Sequence, residues 1–234
     1  IKNHGQEKKY VYKEVGLNSN VDQIVEDSIN SKTRSRQQIG EGPTQRIDPS
    51  ELIAEMRLIK SDAEIKLMRH SAEISSLAHI EAMKAVKDAN TEQSIESLYL
   101  HEFSKRGARF PAYPPIVAGG ENACVLHYVE NDQDLNKNDL LLVDAGCEYE
   151  MYAADITRTF PVSGKFSDEQ LEIYKIVLNA MNAAIDSVKE GNSIMMPQEI
   201  SEKVITEGLV QVGILQGDPV ELHKKGAYKD FYMH

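Results

Sequence analysis

The sequence predicts an α+β fold with antiparallel strands, and three observations carry that prediction. Two long apolar stretches of helical period each start behind a capping box, Ser61-Asp-Ala-Glu64 and Ser167-Asp-Glu-Gln170. Between them lie four short apolar runs, residues 116–118, 124–128, 140–144 and 151–160, separated by Gly, Asn and Asp turn residues. The resulting order is helices, then strands, then helices, not the alternation of an α/β protein.

Residues 1–50 are polar and rich in breakers. Val21, Ile24 and Val25 outline a short helical pattern over 21–28, and residues 32–43, with Gly40, Gly42 and Pro43, read as a loop. This stretch cannot build a core of its own and is expected to be a linker or the tail of an upstream domain. The character changes at Leu52, and Ile65, Met68, Ile74, Ala78 and Ala82 predict a long helix over 62–87. A second helix is expected over 91–106, with Gly107 as its C-terminal stop. After the strands, Leu171, Tyr174, Val177, Leu178 and Met181 predict a helix from 167 to Gly191. Another starts at Pro197, in the first-turn position that suits proline, and runs to Val212. Gly213 and Gly217-Asp-Pro219 close it, and residues 231–234 are expected to begin a further strand.

Composition narrows the function. A 234-residue chain can bury a core without disulfide or metal staples. The net charge of −11 argues against nucleic acid or an anionic membrane as partner, because both select cationic surfaces. The longest apolar run, Leu140-Leu-Leu-Val143, is far short of the roughly 20 residues a bilayer span needs. Two cysteines, Cys124 and Cys147, exclude a disulfide framework and make a reducing cytoplasm the default compartment. Neither has an activating base beside it in sequence, so both read as small buried hydrophobes. The chain starts at Ile1 without Met and stops on the apolar-aromatic Phe231-Tyr-Met-His234, which suggests a piece of a longer polypeptide. No phosphate loop, dinucleotide fingerprint, His-Glu-x-x-His or Gly-x-Ser-x-Gly motif occurs.

Two aspartates stand out. Asp144 ends the run Leu140-Leu-Leu-Val-Asp144, and Asp155 sits in Tyr152-Ala-Ala-Asp155-Ile-Thr-Arg158. Carboxylates in apolar strands are costly unless paired or bound to a cation. Around a hairpin tip at residues 148–151, an even-numbered loop puts both on one face, directly opposite or one pair offset. Two like charges so close call for a cation between them. The competing arrangement has Asp144 in a turn and Asp155 paired with Arg158. His127, in Val125-Leu-His127-Tyr128, reads either as a satisfied core histidine in a strand or, behind the flexible Gly119-Gly120, as a site residue. His70, His79, His101 and His223 read as surface or packing histidines.

At these residues the chain resembles a known family. Ile116-Val-Ala-Gly-Gly-Glu-Asn-Ala-Cys-Val-Leu-His127-Tyr, Leu142-Val-Asp144-Ala-Gly-Cys-Glu-Tyr149 and Ala154-Asp155-Ile-Thr-Arg-Thr-Phe-Pro161 are similar to stretches of the proline-specific metallopeptidases of the pita-bread fold, the Xaa-Pro aminopeptidase (aminopeptidase P) family. Arg106-Gly-Ala-Arg-Phe-Pro111 and Phe231-Tyr-Met-His234 fit the same family, and the likeness runs from about Glu55 to the end. Prolidase is its nearest sibling. The resemblance implies a partial pita-bread fold and a pair of divalent ions, usually Mn2+, held by two Asp, one His and two Glu. Asp144 matches the Asp on one ion, and Asp155 matches the Asp that bridges both. His127 matches a histidine that contacts substrate and stabilises the tetrahedral intermediate, and His234 matches a substrate-side histidine four residues before the metal-binding one. The metal-binding His and both Glu would lie beyond residue 234, so this chain is expected to carry two of five ligands and to be inactive alone. Met151 and Ala154 stand where the family often has Gly.

By the same resemblance, residues 1–50 are the tail and connector of an N-terminal domain that contributes oligomer contacts, and residues 51–234 are an incomplete catalytic domain. The implied substrate is a peptide with proline in second position, and the intact protein is expected to be a homo-oligomer, dimer or tetramer. Rival readings are prolidase, cleaving dipeptides only, and a non-catalytic pita-bread module that binds a protein partner.

Overall fold

The computed structural model describes residues 10–33 and 45–232. Internal contacts divide the chain into two units, residues 1–67 and 68–234.

In the first unit, strand β1 (Tyr10–Tyr12) pairs in parallel with β2 (Gln45–Ile47), Tyr10 opposite Gln45. Helix α1 (Ser19–Thr33) lies between them in sequence, the kind of connection a parallel pair requires. Asp22 sits in its first turn, where a negative charge suits the helix dipole. Its carboxylate takes an ion pair from Lys13 at 2.6 Å and the N–H of Gly16 at 3.0 Å. α2 (Ser50–Leu58) follows and buries none of its residues. The helix matches the pattern read at 21–28. The three-residue strands are too short to show an alternation in sequence. The loop expected over 32–43 falls mostly on residues 34–44, outside the described residues.

Helix α3 (Asp62–Ala85) starts at the expected capping box: Ser61 N–H donates to Glu64 Oε2 at 2.6 Å and Glu64 N–H to Ser61 Oγ at 3.4 Å. α4 (Glu92–Lys105) is capped by Thr91, whose hydroxyl oxygen accepts from Ser94 N–H, and stops before Gly107 at φ 96°. Then come β3 (Phe110–Pro111), β4 (Ile116–Gly119), β5 (Leu140–Asp144), β6 (Cys147–Tyr149), β7 (Tyr152–Ala153) and β8 (Thr157–Pro161). They form two three-stranded sheets, β4-β5-β8 and β3-β6-β7, antiparallel throughout. Asp144 faces Thr157 at the end of one ladder and Glu148 faces Ala153 at the start of the other, so a single register runs through both. β5–β8 is therefore one long hairpin, interrupted between Asp144 and Cys147. Its tip is a two-residue turn, Glu150 and Met151, with φ of 49° and 71°.

Leu141 and Val143 of β5 join Val117 and Phe160 in the main core with Ile74, Ala78 and Ala82 of α3 and Ile95, Tyr99 and Phe103 of α4. These helices therefore seal one face of the β4-β5-β8 sheet. The alternate β5 residues, Leu140, Leu142 and Asp144, lie on the other face beside Ile116 and Ala118.

Two strand expectations are corrected. Residues 124–128 are not a strand: the backbone leaves β4 at Gly119, makes a 3-10 turn over Gly120–Cys124 and enters a turn that carries His127. Gly120, at φ 55°, permits the departure, since a Cβ there would stand 2.7 Å from Asp139 Oδ2. Residues 151–160 split into β7 and β8, leaving 154–156 outside both ladders.

After the sheets, α5 (Asp168–Asp186) begins at the Ser167–Gln170 capping box and packs on α6 (Met196–Gln211) through Ala180, Ile205 and Leu209. α7 (Pro219–Lys224) starts at Pro219 behind Asp218, whose carboxylate accepts from Glu221 N–H at 3.0 Å. The sequence reading saw only a stop there, although Asp-Pro is also a helix start. Phe231 and Tyr232 are not strand, and His234 lies outside the described residues. Among the described residues no helix is long and apolar enough to cross a membrane. The second unit is thus α+β with antiparallel sheets, as the sequence predicts, whereas the short β1–β2 sheet of the first unit is parallel.

Candidate functional site

Asp144 ends β5 on the face away from the main core, half-buried. Asp155 is exposed in the gap between β7 and β8. The shared register puts Asp155 opposite Gly146, so the two aspartates are diagonal neighbours on one face. Tyr113 ties them together: its hydroxyl stands 2.6 Å from Asp144 Oδ1 and 3.1 Å from Asp155 Oδ1. The two oxygens are thus no further apart than those bonds laid end to end, inside the roughly 8 Å reach of a diagonal pair. Burial, then the hydrogen bond to Asp144, pushes the Tyr113 phenol well above its usual range, so it stays a neutral donor. Gly146 makes the close approach possible, because a Cβ there would lie 1.8 Å from the Ala154 carbonyl oxygen. The rival pairing does not form among the described residues. Arg158 Nη1 donates instead to the Thr157 carbonyl at 2.7 Å.

His127 is neither in a strand nor in the core. It is exposed, with φ 55°, at the tip of a loop beside the exposed Val125 and Leu126. Glu92, fully buried at the start of α4, holds the base of that loop. Its Oε1 accepts from Gly119 N–H at 2.8 Å and Asn122 Nδ2 at 2.9 Å, and its Oε2 from Tyr128 O–H at 2.7 Å and Gln133 N–H at 3.1 Å. Four donors satisfy a carboxylate that would otherwise be prohibitive to bury. Burial and the bond to Glu92 push the Tyr128 hydroxyl up to about 12. Asn131 adds a second staple, accepting from Val117 N–H and donating to the Pro115 carbonyl, both at 2.9 Å. No hydrogen bond or ion pair among the described residues joins His127 to either aspartate. Of the cysteines, Cys147 is buried as expected, whereas Cys124 is exposed because its segment is a surface turn.

Two hard carboxylates sharing a face suit a hard divalent cation, whose full shell needs about six donors. Among the described residues no group of three or more His, Cys, Asp and Glu is placed to hold a metal. Asp144 and Asp155 therefore fit as part of a cation site that further donors must complete.

Sequence reasoning missed Tyr113 and Glu92. Tyr113 sits in Pro111-Ala-Tyr-Pro-Pro115, and nothing in that stretch points to partners 31 and 42 residues downstream. Glu92 sits directly behind the Thr91 cap, where an acidic residue reads as dipole compensation.

The family model for metallopeptidase family M24 matches residues 66–234. The chain is 53% identical over 188 residues to the Xaa-Pro aminopeptidase of Haemophilus influenzae, covering 80% of this chain and 44% of that protein. It is 41% identical over 224 residues to the Escherichia coli Xaa-Pro aminopeptidase, covering 96% and 51%. Among solved structures, aminopeptidase PepP of Pseudomonas aeruginosa superposes with a TM-score of 0.92 at 43% identity, covering all of this chain and 53% of that one. Proline aminopeptidase P II of Yersinia pestis gives 0.90 at 40%, with the same coverage. The chain thus spans about half the length of the curated relatives it matches. With the antiparallel hairpin and its aspartate pair inside the matched region, the chain belongs to metallopeptidase family M24.

Proposed function

We propose that this chain is part of a metal-dependent aminopeptidase that releases an N-terminal residue preceding proline. The observation that carries the reading is the Asp144–Tyr113–Asp155 bridge, in a chain 41–53% identical to Xaa-Pro aminopeptidases. Asp144 and Asp155 would hold divalent ions, Mn2+ by our reading, together with donors from outside the described residues. When bound, such ions acidify a water and polarise the scissile carbonyl. Tyr113 restrains both Oδ1 atoms, and among the described residues no hydrogen bond engages either Oδ2. His127, carried on a loop fixed at its base by Glu92 and Asn131, donates to the charge that develops on the carbonyl oxygen. A donor preorganised in that role contributes about 10²–10³ in rate. His234, outside the described residues, is assigned a substrate-side role from its match to the family's histidine alone.

Residues 1–50 are then the tail of a domain used in homo-oligomer contacts, and 51–234 belong to the catalytic domain. The free thiols support a reducing cytoplasm as the compartment.

The test is an assay of the full-length protein, loaded with Mn2+, on an Xaa-Pro-Xaa tripeptide and an Xaa-Pro dipeptide. Metal-dependent cleavage of the tripeptide is expected. Cleavage of the dipeptide alone would make it a prolidase, and no cleavage of either by metal-loaded protein would make it a non-catalytic module.

A further inference from the structure

The hairpin that carries the two aspartates is regular on both sides of them and irregular between them. Ladder pairing stops at Asp144–Thr157 and resumes at Glu148–Ala153. Only two backbone bonds cross the gap among the described residues: Ala145 N–H to the Ile156 carbonyl at 3.1 Å and Ala154 N–H to the Cys147 carbonyl at 2.9 Å. The bond that a regular ladder would return to the Ala145 carbonyl is missing, and a side chain takes its place. His79, from the middle of α3, puts Nε2 at 3.3 Å from the Ala145 carbonyl oxygen and 3.0 Å from the Ile156 carbonyl oxygen. Both partners are acceptors only, so Nε2 carries the hydrogen. Nδ1 then accepts from the Tyr99 hydroxyl at 2.7 Å, which fixes ring and tautomer together. His79 is 3% exposed and Tyr99 fully buried, so neither has solvent as an alternative partner.

The two carbonyls that His79 holds belong to the residues directly after Asp144 and directly after Asp155. We propose that His79 is a positioning residue of the cation site: locked by Tyr99, it clamps the two strands at the interruption and sets the separation at which the Asp144 and Asp155 carboxylates face each other. The inference rests on the reading of those aspartates as cation ligands. It assigns a role in ion binding to a histidine on the opposite face of the sheet, in contact with neither carboxylate. A purely packing histidine would need no donor aimed at this one gap, and the fixed tautomer would serve nothing.

The experiment measures Mn2+ affinity and the Co2+ ligand-field spectrum of the full-length protein for the wild type, His79→Leu, His79→Gln, Tyr99→Phe and Asp155→Asn. Loss of a group that orients ligands weakens metal binding by about 10–100-fold. His79→Leu is expected to raise the Mn2+ dissociation constant by that factor and to shift the Co2+ bands. His79→Gln keeps an N–H within reach of a carbonyl and is expected to stay within about threefold of wild type, a rescue that loss of packing alone would not give. Tyr99→Phe frees the ring and is expected to fall between them. If His79→Leu does not melt cooperatively, Tyr99→Phe carries the test, because it keeps the imidazole and every ring contact. Wild-type affinity and unshifted bands in His79→Leu or Tyr99→Phe, with binding abolished in Asp155→Asn, would overturn the role of His79 alone. Intact binding in Asp155→Asn would overturn the ligand reading, and the inference with it.

Discussion

His127 and Asp155 differ in what holds them, and their substitutions should separate. His127 rides on a loop tip with no partner among the aspartates, so in the full-length enzyme His127→Ala should cut kcat about 10²–10³-fold while Mn2+ content stays near wild type. Asp155→Ala should empty the site instead. Metal analysis beside steady-state kinetics on one Xaa-Pro substrate distinguishes the two, and a His127→Ala protein stripped of Mn2+ would make His127 a ligand. A second residue-scale prediction concerns the hairpin tip. Glu150 and Met151 both have positive φ, the geometry of a two-residue turn that prefers Asn-Gly, and both are exposed. A residue with a Cβ in that region costs about 1–2 kcal/mol. Glu150→Asn with Met151→Gly should raise unfolding stability by about 1–2 kcal/mol in urea titration with an unchanged m-value. No gain would mean that the turn is relaxed elsewhere.

Elements were legible in proportion to how local their signals are. The starts of α3 and α5 could be read because both partners of each capping box lie within four residues. The run at 124–128 misled because its apolar residues form a surface turn held by Glu92, about thirty residues upstream, and no short window contains that contact. A tight crossing between α5 and α6 is equally invisible in sequence. Gly208 lies so close to Ile176 that a Cβ would stand 2.5 Å from Cγ2 and 2.8 Å from Cγ1. Gly208→Ala would gain about 1 kcal/mol of helix propensity but overpack a branched side chain at about 1–3 kcal/mol. A net loss of up to about 2 kcal/mol is expected in the melting transition. Adding Ile176→Ala should then cost less than it does in the wild-type background, since the offending atoms are gone. Strict additivity of the two changes would show that the helices slide apart to accommodate the methyl group.

For the whole molecule, the aspartate pair was readable because the two-residue tip keeps one register along the hairpin, and register alone decides which residues share a face. Tyr113 was not, since it reaches Asp144 across 31 residues and Asp155 across 42. The same geometry limits what these 234 residues do by themselves. Both carboxylates lie on the face of the sheet away from the main core, and no third metal-ligating side chain joins them among the described residues. A divalent ion there would satisfy most of its coordination with water, and a water on such a loosely held, largely hydrated ion is acidified far less than one in a completed protein site. A polypeptide of residues 1–234 alone should therefore bind Mn2+ no tighter than roughly millimolar, as read by calorimetry, with Asp144→Asn removing what binding remains. It should release no N-terminal residue from an Xaa-Pro-Xaa peptide at any Mn2+ concentration at which the full-length protein turns over. Micromolar Mn2+ binding or metal-dependent cleavage by this polypeptide, free of full-length enzyme, would mean that residues 1–234 hold a complete site, with the missing donors among those the structure does not describe.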